Sequence, residues 1–424
     1  MTMDLSRGLT CDALFRRAGV RNAHAPALVD PPNRARVTDG APRALTFAQA
    51  DRAISAFAAQ LRGLGLHSGT VVGLQLPNTV ESVVALLGTL RAGMVAAPLP
   101  LLARRHDIVE ALGRAGAKAI VTAGRIGGTP HAGIAVEVAA ELFPIRQVCA
   151  FGAALPDGVV PLDGIFAAAA GETPPAGEAA PVAIITVECG SDGSVAVSHS
   201  HAHVLIAGAS LALAGGLAAD APVLSTIPLC SFAGLALTLV PWLMTGGTLN
   251  LHHGFDADAF AAQAAALTGG VAMLPGPALP ALAGRIAASN CTVALWRGPF
   301  GAAAEVAVTN VVDAVCLDET TLTVRARDGQ GLPDAAVVAA AAKATADGIA
   351  VGAYRFSRHA LDAQVAAVDG GAMIAALPDA LIGQRLAGRA SDGARMAAEL
   401  TARGLNPLIA NAFRDRSGSS STRY

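Results

Sequence analysis

The sequence predicts an α/β protein: two successive α/β stretches, then a compact C-terminal α/β unit. Three observations carry this. Apolar runs of strand length alternate with amphipathic runs of helix length. A polar segment broken by proline and glycine, AAAAGETPPAGEAAP at 167–181, separates the first stretch from the second. From GIAVGAYRF onward the alternation resumes over a small domain's length of chain.

The first stretch opens with LTFAQADRAISAFAAQLRGLGL (45–66), a predicted helix. Thr46 stands at its N-cap with Gln49 three residues on, the spacing of a capping box. The helix ends at the glycines around 63–65. TVVGLQLP (70–77) reads as a buried strand, and NTVESVVALLGTLRAG (78–93) as a helix capped by Asn78 and closed by Gly93. MVAAPLP is a strand, about 106 to 115 a helix, and AKAIVTA a strand. This rhythm predicts parallel pairing through right-handed crossovers.

After the linker, VAIITV opens a second α/β stretch that runs from about 200 to 300. Residues 300–347 are poor in pattern, and AAVVAAAAKATADG reads as a shortened connection. The C-terminal unit reads as strand, helix RHALDAQVAAV, strand AMIAALP and helix SDGARMAAELTARG. The tail SGSSSTRY is expected to be disordered.

Composition excludes some function classes. A net charge of -2 argues against a nucleic-acid protein, and no Lys/Arg block marks an anionic membrane surface. Hydrophobics reach 53% but aromatics only 4%, so many small contacts must replace a few large ones. Six scattered cysteines without metal-type spacing read as reduced thiols, and with no signal-peptide pattern at the start they predict a cytoplasmic protein. Residues 221–251 carry no charge, yet prolines and glycines divide them into strand–turn–helix pieces rather than a membrane span.

The chain resembles the adenylate-forming superfamily, the acyl-CoA and aryl-CoA synthetases. LTFAQADRAISAFAAQLRGLGLHSGTVVGLQLPNTVESVVALLGTLRAGMVAAPLP is similar to that family's N-terminal subdomain. IPLCSFAGLALTLVPWLMTGGTLNL, FDADAF and AMLPGPALPAL resemble its second subdomain. VGAYRFSRHALDAQ and ALPDALIGQRLAG resemble its mobile C-terminal domain. The resemblance implies a large N-terminal domain of two α/β subdomains over 1–346, shortened near 329–347. It implies a small C-terminal α/β domain over 348–414, with 415–424 as tail. It also implies ATP with Mg²⁺, coenzyme A and a carboxylate substrate: ATP activates the acid as an acyl-adenylate, and a thiol displaces AMP.

The family's phosphate loop reads roughly Ser/Thr-Gly-Thr-Thr-Gly-x-Pro-Lys-Gly, followed by Thr/Ser-His. VECGSDGSVAVSHSH (187–201) takes its place. Anchored on Ser198-His199, the lysine falls at Gly193 and the proline at Asp192, while Gly190 matches a family glycine. Glu188 and Cys189 replace the two threonines. The loop equivalent is thus Thr186, Glu188, Cys189, Gly190, Ser191, Gly193 and Ser194. A carboxylate about 4 Å from a phosphate charge costs about 4 kcal/mol at an effective dielectric near 20. A bound Mg²⁺ would reverse that sign. The segment is therefore read as a structural hairpin, with a working phosphate loop as the alternative.

Other family positions also depart. The aromatic/histidine site reads Cys230-Ser231-Phe232, and CLDET (316–320) stands near the place of Tyr-Gly-x-Thr-Glu, with Asp318 and Glu319 out of register. Thr-Gly-Asp, which holds the ribose, occurs nowhere. The late catalytic lysine would fall near NPLIANAFRDR, but the only lysines are Lys118 and Lys343. Arg414 or Arg416 supplies charge there without being a like-for-like replacement. The candidate substrate-pocket residues are Ser231, Phe232, Gly234, Gly276, Asp318 and Glu319, and Asp347 matches the family hinge.

His199, His201 and His203 alternate, which on one strand would make a Zn²⁺ site. A strand ending near His199 and a helix starting near Ser200 would part them, so no metal site is predicted. Ser191, Ser194 and Ser198 lie near histidines but in no G-x-S-x-G elbow.

Three functions compete. One is a degenerate acyl-CoA-synthetase-like protein that binds an acyl, adenylate or CoA ligand. The second is a working ligase with a rebuilt phosphate site. The third is a non-catalytic partner subunit that pairs with an active ligase or a biosynthetic enzyme, and a protein partner or a homo-oligomer is left open. The apolar segments near Phe232–Leu239 and Leu274–Pro280 point to a fatty or aromatic acid.

Overall fold

A computed structural model describes residues 9–169, 181–190, 193–286, 290–298, 310–327, 348–351, 354–379 and 383–414. Helix Phe47–Gly63 begins as its sequence dictates. Thr46 Oγ1 accepts from Gln49 N at 3.2 Å, and Gln49 Oε1 accepts from Thr46 N at 2.8 Å. Its buried stripe of Ile54, Phe57, Ala58 and Leu61 packs on helix Val80–Arg91. Gly88 sets that approach: a Cβ there would stand 2.6 Å from the Phe57 ring.

Helix Val80–Arg91 starts after an N-cap at Thr79, not at Asn78 as predicted. The Asn78 side chain is used elsewhere. Its Nδ2 donates to Ser225 O at 3.0 Å and His252 O at 3.2 Å, which stitches the two halves of the large portion together.

Two sheets carry that portion. The first has seven strands in the order Val160–Pro161, Gln147–Phe151, Ala119–Ala123, Val71–Gln75, Val95–Pro98, Ile184–Gly190, Gly193–His199. All its pairs are parallel except the last, which is an antiparallel hairpin. The second has eight strands in the order Leu322–Ala326, Val311–Cys316, Asn290–Arg297, Thr268–Pro275, Val223–Ser225, Leu249–Leu251, Pro26–Val29, Ala44–Thr46. It is parallel in its middle and antiparallel at both edges. Buried strand Val311–Cys316 and its partner Leu322–Ala326 lie in the stretch where the sequence showed little pattern.

The charge-free run divides as expected into strand Val223–Ser225, helical turns from Phe232 to Thr245 and strand Leu249–Leu251. The turns Leu235–Leu239 are π-helical just before Pro241, which has no N–H to offer the preceding turn. Among the described residues no helix is long and apolar enough to cross a membrane. Scarce aromatics are concentrated: Trp242 lies 5.8 Å from Phe15 and 6.3 Å from Phe47 between ring centroids.

The C-terminal unit has its own core, including Ile349, Phe356, Leu361, Ile374, Met396, Leu400 and Phe413. Its strands form two separate antiparallel pairs, Gly348–Val351 with Tyr354–Ser357 and Met373–Asp379 with Gly383–Arg389. Strand Gly383–Arg389 and the short helix Pro407–Asn411 are additions to the predicted element list.

Candidate functional site

The suspected loop is a β-hairpin. Ile184–Gly190 and Gly193–His199 pair without a register break from Ile184↔His199 to Gly190↔Gly193. The outward amide of Ser194 donates to Glu110 Oε1 at 2.9 Å, and its hydroxyl donates to Oε2 at 3.3 Å. Glu110 lies on helix Arg105–Ala115. Both polar groups of Ser194 therefore already hold a carboxylate where the family resemblance places phosphate. Glu188 is half-buried on the first strand. Cys189, Gly190 and Gly193 contribute backbone to the ladder, and Ser191 lies outside the described residues.

At the base of the hairpin a polar chain crosses between elements. Thr186 Oγ1 lies 2.8 Å from His199 Nε2, His199 Nδ1 lies 3.2 Å from His203 Nδ1, and His203 Nε2 lies 3.1 Å from Thr320 O. The carbonyl can only accept, so His203 carries its hydrogen on Nε2. With the His199 hydrogen on Nδ1, His203 Nδ1 accepts from it, and His199 Nε2 accepts from the Thr186 hydroxyl. Burial, then the neighbouring His203, pushes His199 down to about 4, which keeps it neutral at physiological pH.

Phe232 closes the cluster. Its ring stacks on His199 at 5.1 Å and meets His203 at 4.8 Å, and its amide donates to Glu319 Oε2 at 2.7 Å. Ser231 Oγ accepts from Gly234 N at 3.1 Å and starts this helical turn. Gly234 must be glycine, because a Cβ there would overlap Pro228 O. Asp318 Oδ1 accepts from Thr320 N and Oγ1, each at 2.7 Å. Partial burial raises its carboxyl, but these bonds outweigh that and hold it below the usual range. Burial pushes the Cys230 thiol up to about 12, with Glu319 adding to the effect, so Cys230 is no nucleophile at neutral pH. Gly276 follows strand Thr268–Pro275 and faces Trp296 O across 3.5 Å from its would-be Cβ.

Of the predicted residues, Thr186, Phe232 and Glu319 thus converge, with Ser231 and Asp318 beside them. The hinge candidate Asp347 and Arg416 lie outside the described residues. The histidine reading needs a correction in detail. The strand does end at His199 and the helix is capped by Ser200, yet His199 and His203 still meet across that junction. Only His201 turns away, accepting from Cys11 N at 3.4 Å. Among the described residues no three His, Cys, Asp or Glu side chains are grouped to hold a metal ion. Two participants were not singled out from sequence as a pair of functions: Glu110, which lies 84 residues from Ser194, and His203 as a partner of Thr320. Only the i, i+4 spacing of His199 and His203 offered a signal.

The family described as AMP-binding enzyme matches residues 15–274, more than half of the chain. The chain belongs to the AMP-binding enzyme family. Within that family it is 38% identical over 109 residues to a long-chain-fatty-acid–CoA ligase of Salmonella typhimurium, covering 26% of this chain and 18% of the relative. It is 34% identical over 154 residues to long-chain fatty acid transport protein 1 of Homo sapiens, covering 36% of this chain and 22% of the relative. These matches thus span about a fifth of each curated relative's length. The fold is similar to the N-terminal domain of FACL13 from Mycobacterium tuberculosis, with a TM-score of 0.58, 18% identity, and 72% and 75% of the two chains covered. It is also similar to a benzoate CoA ligase from Burkholderia xenovorans, with a TM-score of 0.54, 21% identity, and 73% and 61% covered.

Proposed function

We infer that this AMP-binding family member binds an acyl, acyl-adenylate or CoA-type ligand without performing ATP-dependent adenylation. The observation that carries this is Ser194, whose amide and hydroxyl both end on the Glu110 carboxylate. A phosphate arriving there meets a negative charge and two donors already used. The chain's two lysines, Lys118 and Lys343, both lie outside the hairpin segment, and the cation beside Glu110 is Arg114, which already pairs with that carboxylate at 3.4 Å. Phosphoryl charge needs preorganised donors and cations aimed at it, and their losses act on one transition state. ATP with Mg²⁺ therefore does not fit the hairpin as it stands.

The apolar sequence segments near Phe232–Leu239 and Leu274–Pro280 favour a fatty or aromatic acid as the ligand. Residues 348–414 are read as a small second domain that stays in one arrangement, because a chain that does not adenylate has no need to alternate. The names of the relatives favour a second reading, an active AMP-forming acid–CoA ligase with a rebuilt phosphate site. A third is a non-catalytic partner subunit. Thermal-shift titration with fatty acids, aryl acids, a non-hydrolysable acyl-adenylate and CoA separates the three. Stabilisation by one of these, with no acid-dependent pyrophosphate release, is expected. Pyrophosphate release supports the ligase, and no response to any of them removes the ligand-binding reading.

A further inference from the structure

Helix Arg105–Ala115 touches both the hairpin and the C-terminal unit. At its first turn, His106 N donates to Gly404 O at 3.0 Å, and His106 Nε2 lies 3.2 Å from Gln364 Nε2. One turn further on, Glu110 holds Ser194. His106 and Glu110 are four residues apart, so both contacts lie along one side of the helix. The fit at the first turn is close. Gly404 is left-handed (φ +71), and a Cβ on it would stand 3.0 Å from Arg105 Cβ and 3.4 Å from His106 N. Without Gly404 O, the His106 amide would be one of the helix's unsatisfied first-turn donors. The C-terminal unit also reaches the hairpin directly, because strand Tyr354–Ser357 packs beside Ile184–Gly190. The Arg105–Glu141 ion pair at 2.5 Å is partly exposed on both sides and adds little to the anchoring of helix Arg105–Ala115.

We propose that this helix is a latch: the C-terminal unit docked on its first turn holds Glu110 against Ser194 and keeps the hairpin closed. The latch rests on the reading of the hairpin as a disabled phosphate loop, and it adds the element that keeps it disabled. A shift of the helix would draw the carboxylate off Ser194, and the docked unit opposes that shift at Gly404. Coupling of this kind is reciprocal, so loosening either end must loosen the other.

Hydrogen exchange and spin-label distances on the full chain, without nucleotide, test it. Gly404→Val strains the left-handed position and collides with Arg105, which undocks or unfolds the C-terminal unit. The amide of Ser194 and its hairpin neighbours should then exchange about tenfold faster, the factor expected for losing one charge-assisted bond. In the reverse direction, Glu110→Ala should lengthen the distance between labels at exposed Val136 and Met373. Gln364→Ala, which leaves the backbone at Gly404 intact, should give a smaller change of the same sign. Unchanged hairpin exchange in Gly404→Val, together with an unchanged label distance in Glu110→Ala, overturns the latch. Pyrophosphate release by the unaltered protein would refute the proposed function instead, since the latch is read without ATP.

Discussion

His199 and His203 face each other Nδ1 to Nδ1 at 3.2 Å, and neighbours on either side fix the hydrogen between them. Thr186 donates into one end of the chain, and Thr320 O accepts at the other. Four residues from the hairpin, the following helix and the 316–320 loop thereby act as one unit. Thr186→Val leaves His199 Nε2 without its donor, and His203→Ala leaves His199 Nδ1–H without its acceptor. Each should cost about 1–3 kcal/mol, as for a buried polar group left unpaired. The double variant should cost clearly less than the sum, because both losses fall on His199. Urea unfolding midpoints check this, and strict additivity would separate the two contacts.

The same histidine predicts an acid limb of stability. His199 titrates near 4 when folded, against an ordinary 6.5. Between those values the unfolded chain takes up a proton that the folded chain refuses, so stability falls as pH drops from about 6.5 to about 4. The loss is about 3 kcal/mol at most. His253, also pushed down to about 4 by burial and by His252, adds a second loss of the same sign. Burial also lowers His131, His201 and His252, so His199→Gln should flatten the melting-temperature profile over that window in part and leave an acid limb behind. A profile as steep as that of the unaltered protein would place the protonation elsewhere.

Asp107 works in the opposite direction. Burial raises its carboxyl to about 7, the amide of Arg104 opposes that rise, and Glu110 adds to it. An acid with a raised folded pKa costs stability as pH climbs from about 4 to about 7, and the full cost remains above that. Asp107→Asn keeps an acceptor for the Arg104 amide, which the carboxylate now takes at 2.9 Å. It should raise the melting temperature at pH 8 and change it little at pH 4. Equal effects at both pH values would rule out ionisation as the cause.

Much of this fold was legible because its signals are local. Thr46 and Gln49 lie three residues apart, and they form the capping box their spacing predicts. Alternating strand and helix runs foretold the parallel first sheet. The cap at Asn78 was misread because a contact across 147 residues, to Ser225 O, takes the side chain away from the helix. Strand Val311–Cys316 was missed because it is buried on both faces and so lacks period-2 alternation. The absence of lysine from residues 187–201 was visible in the sequence. The Glu110 carboxylate that takes Ser194 was not, because no local pattern links residues 110 and 194.

Restoring one group should not restore chemistry. Gly193→Lys places a cation in the hairpin, yet Glu110 stays on Ser194, and the chain carries no Thr-Gly-Asp and no lysine after Lys343. Acid-dependent pyrophosphate release should remain at background in this variant, and in Gly193→Lys combined with Glu110→Ala. Release from either would mean that the missing groups are compensated from elsewhere in the chain.

Calorimetric titration of the full chain with Mg-ATP tests the central claim most directly, because it reads the phosphate site before any chemistry. The hairpin closed on Glu110 predicts millimolar or weaker affinity, unaffected by fatty or aromatic acids. Micromolar binding that tightens when an acid is present would contradict it and identify the chain as a working ligase.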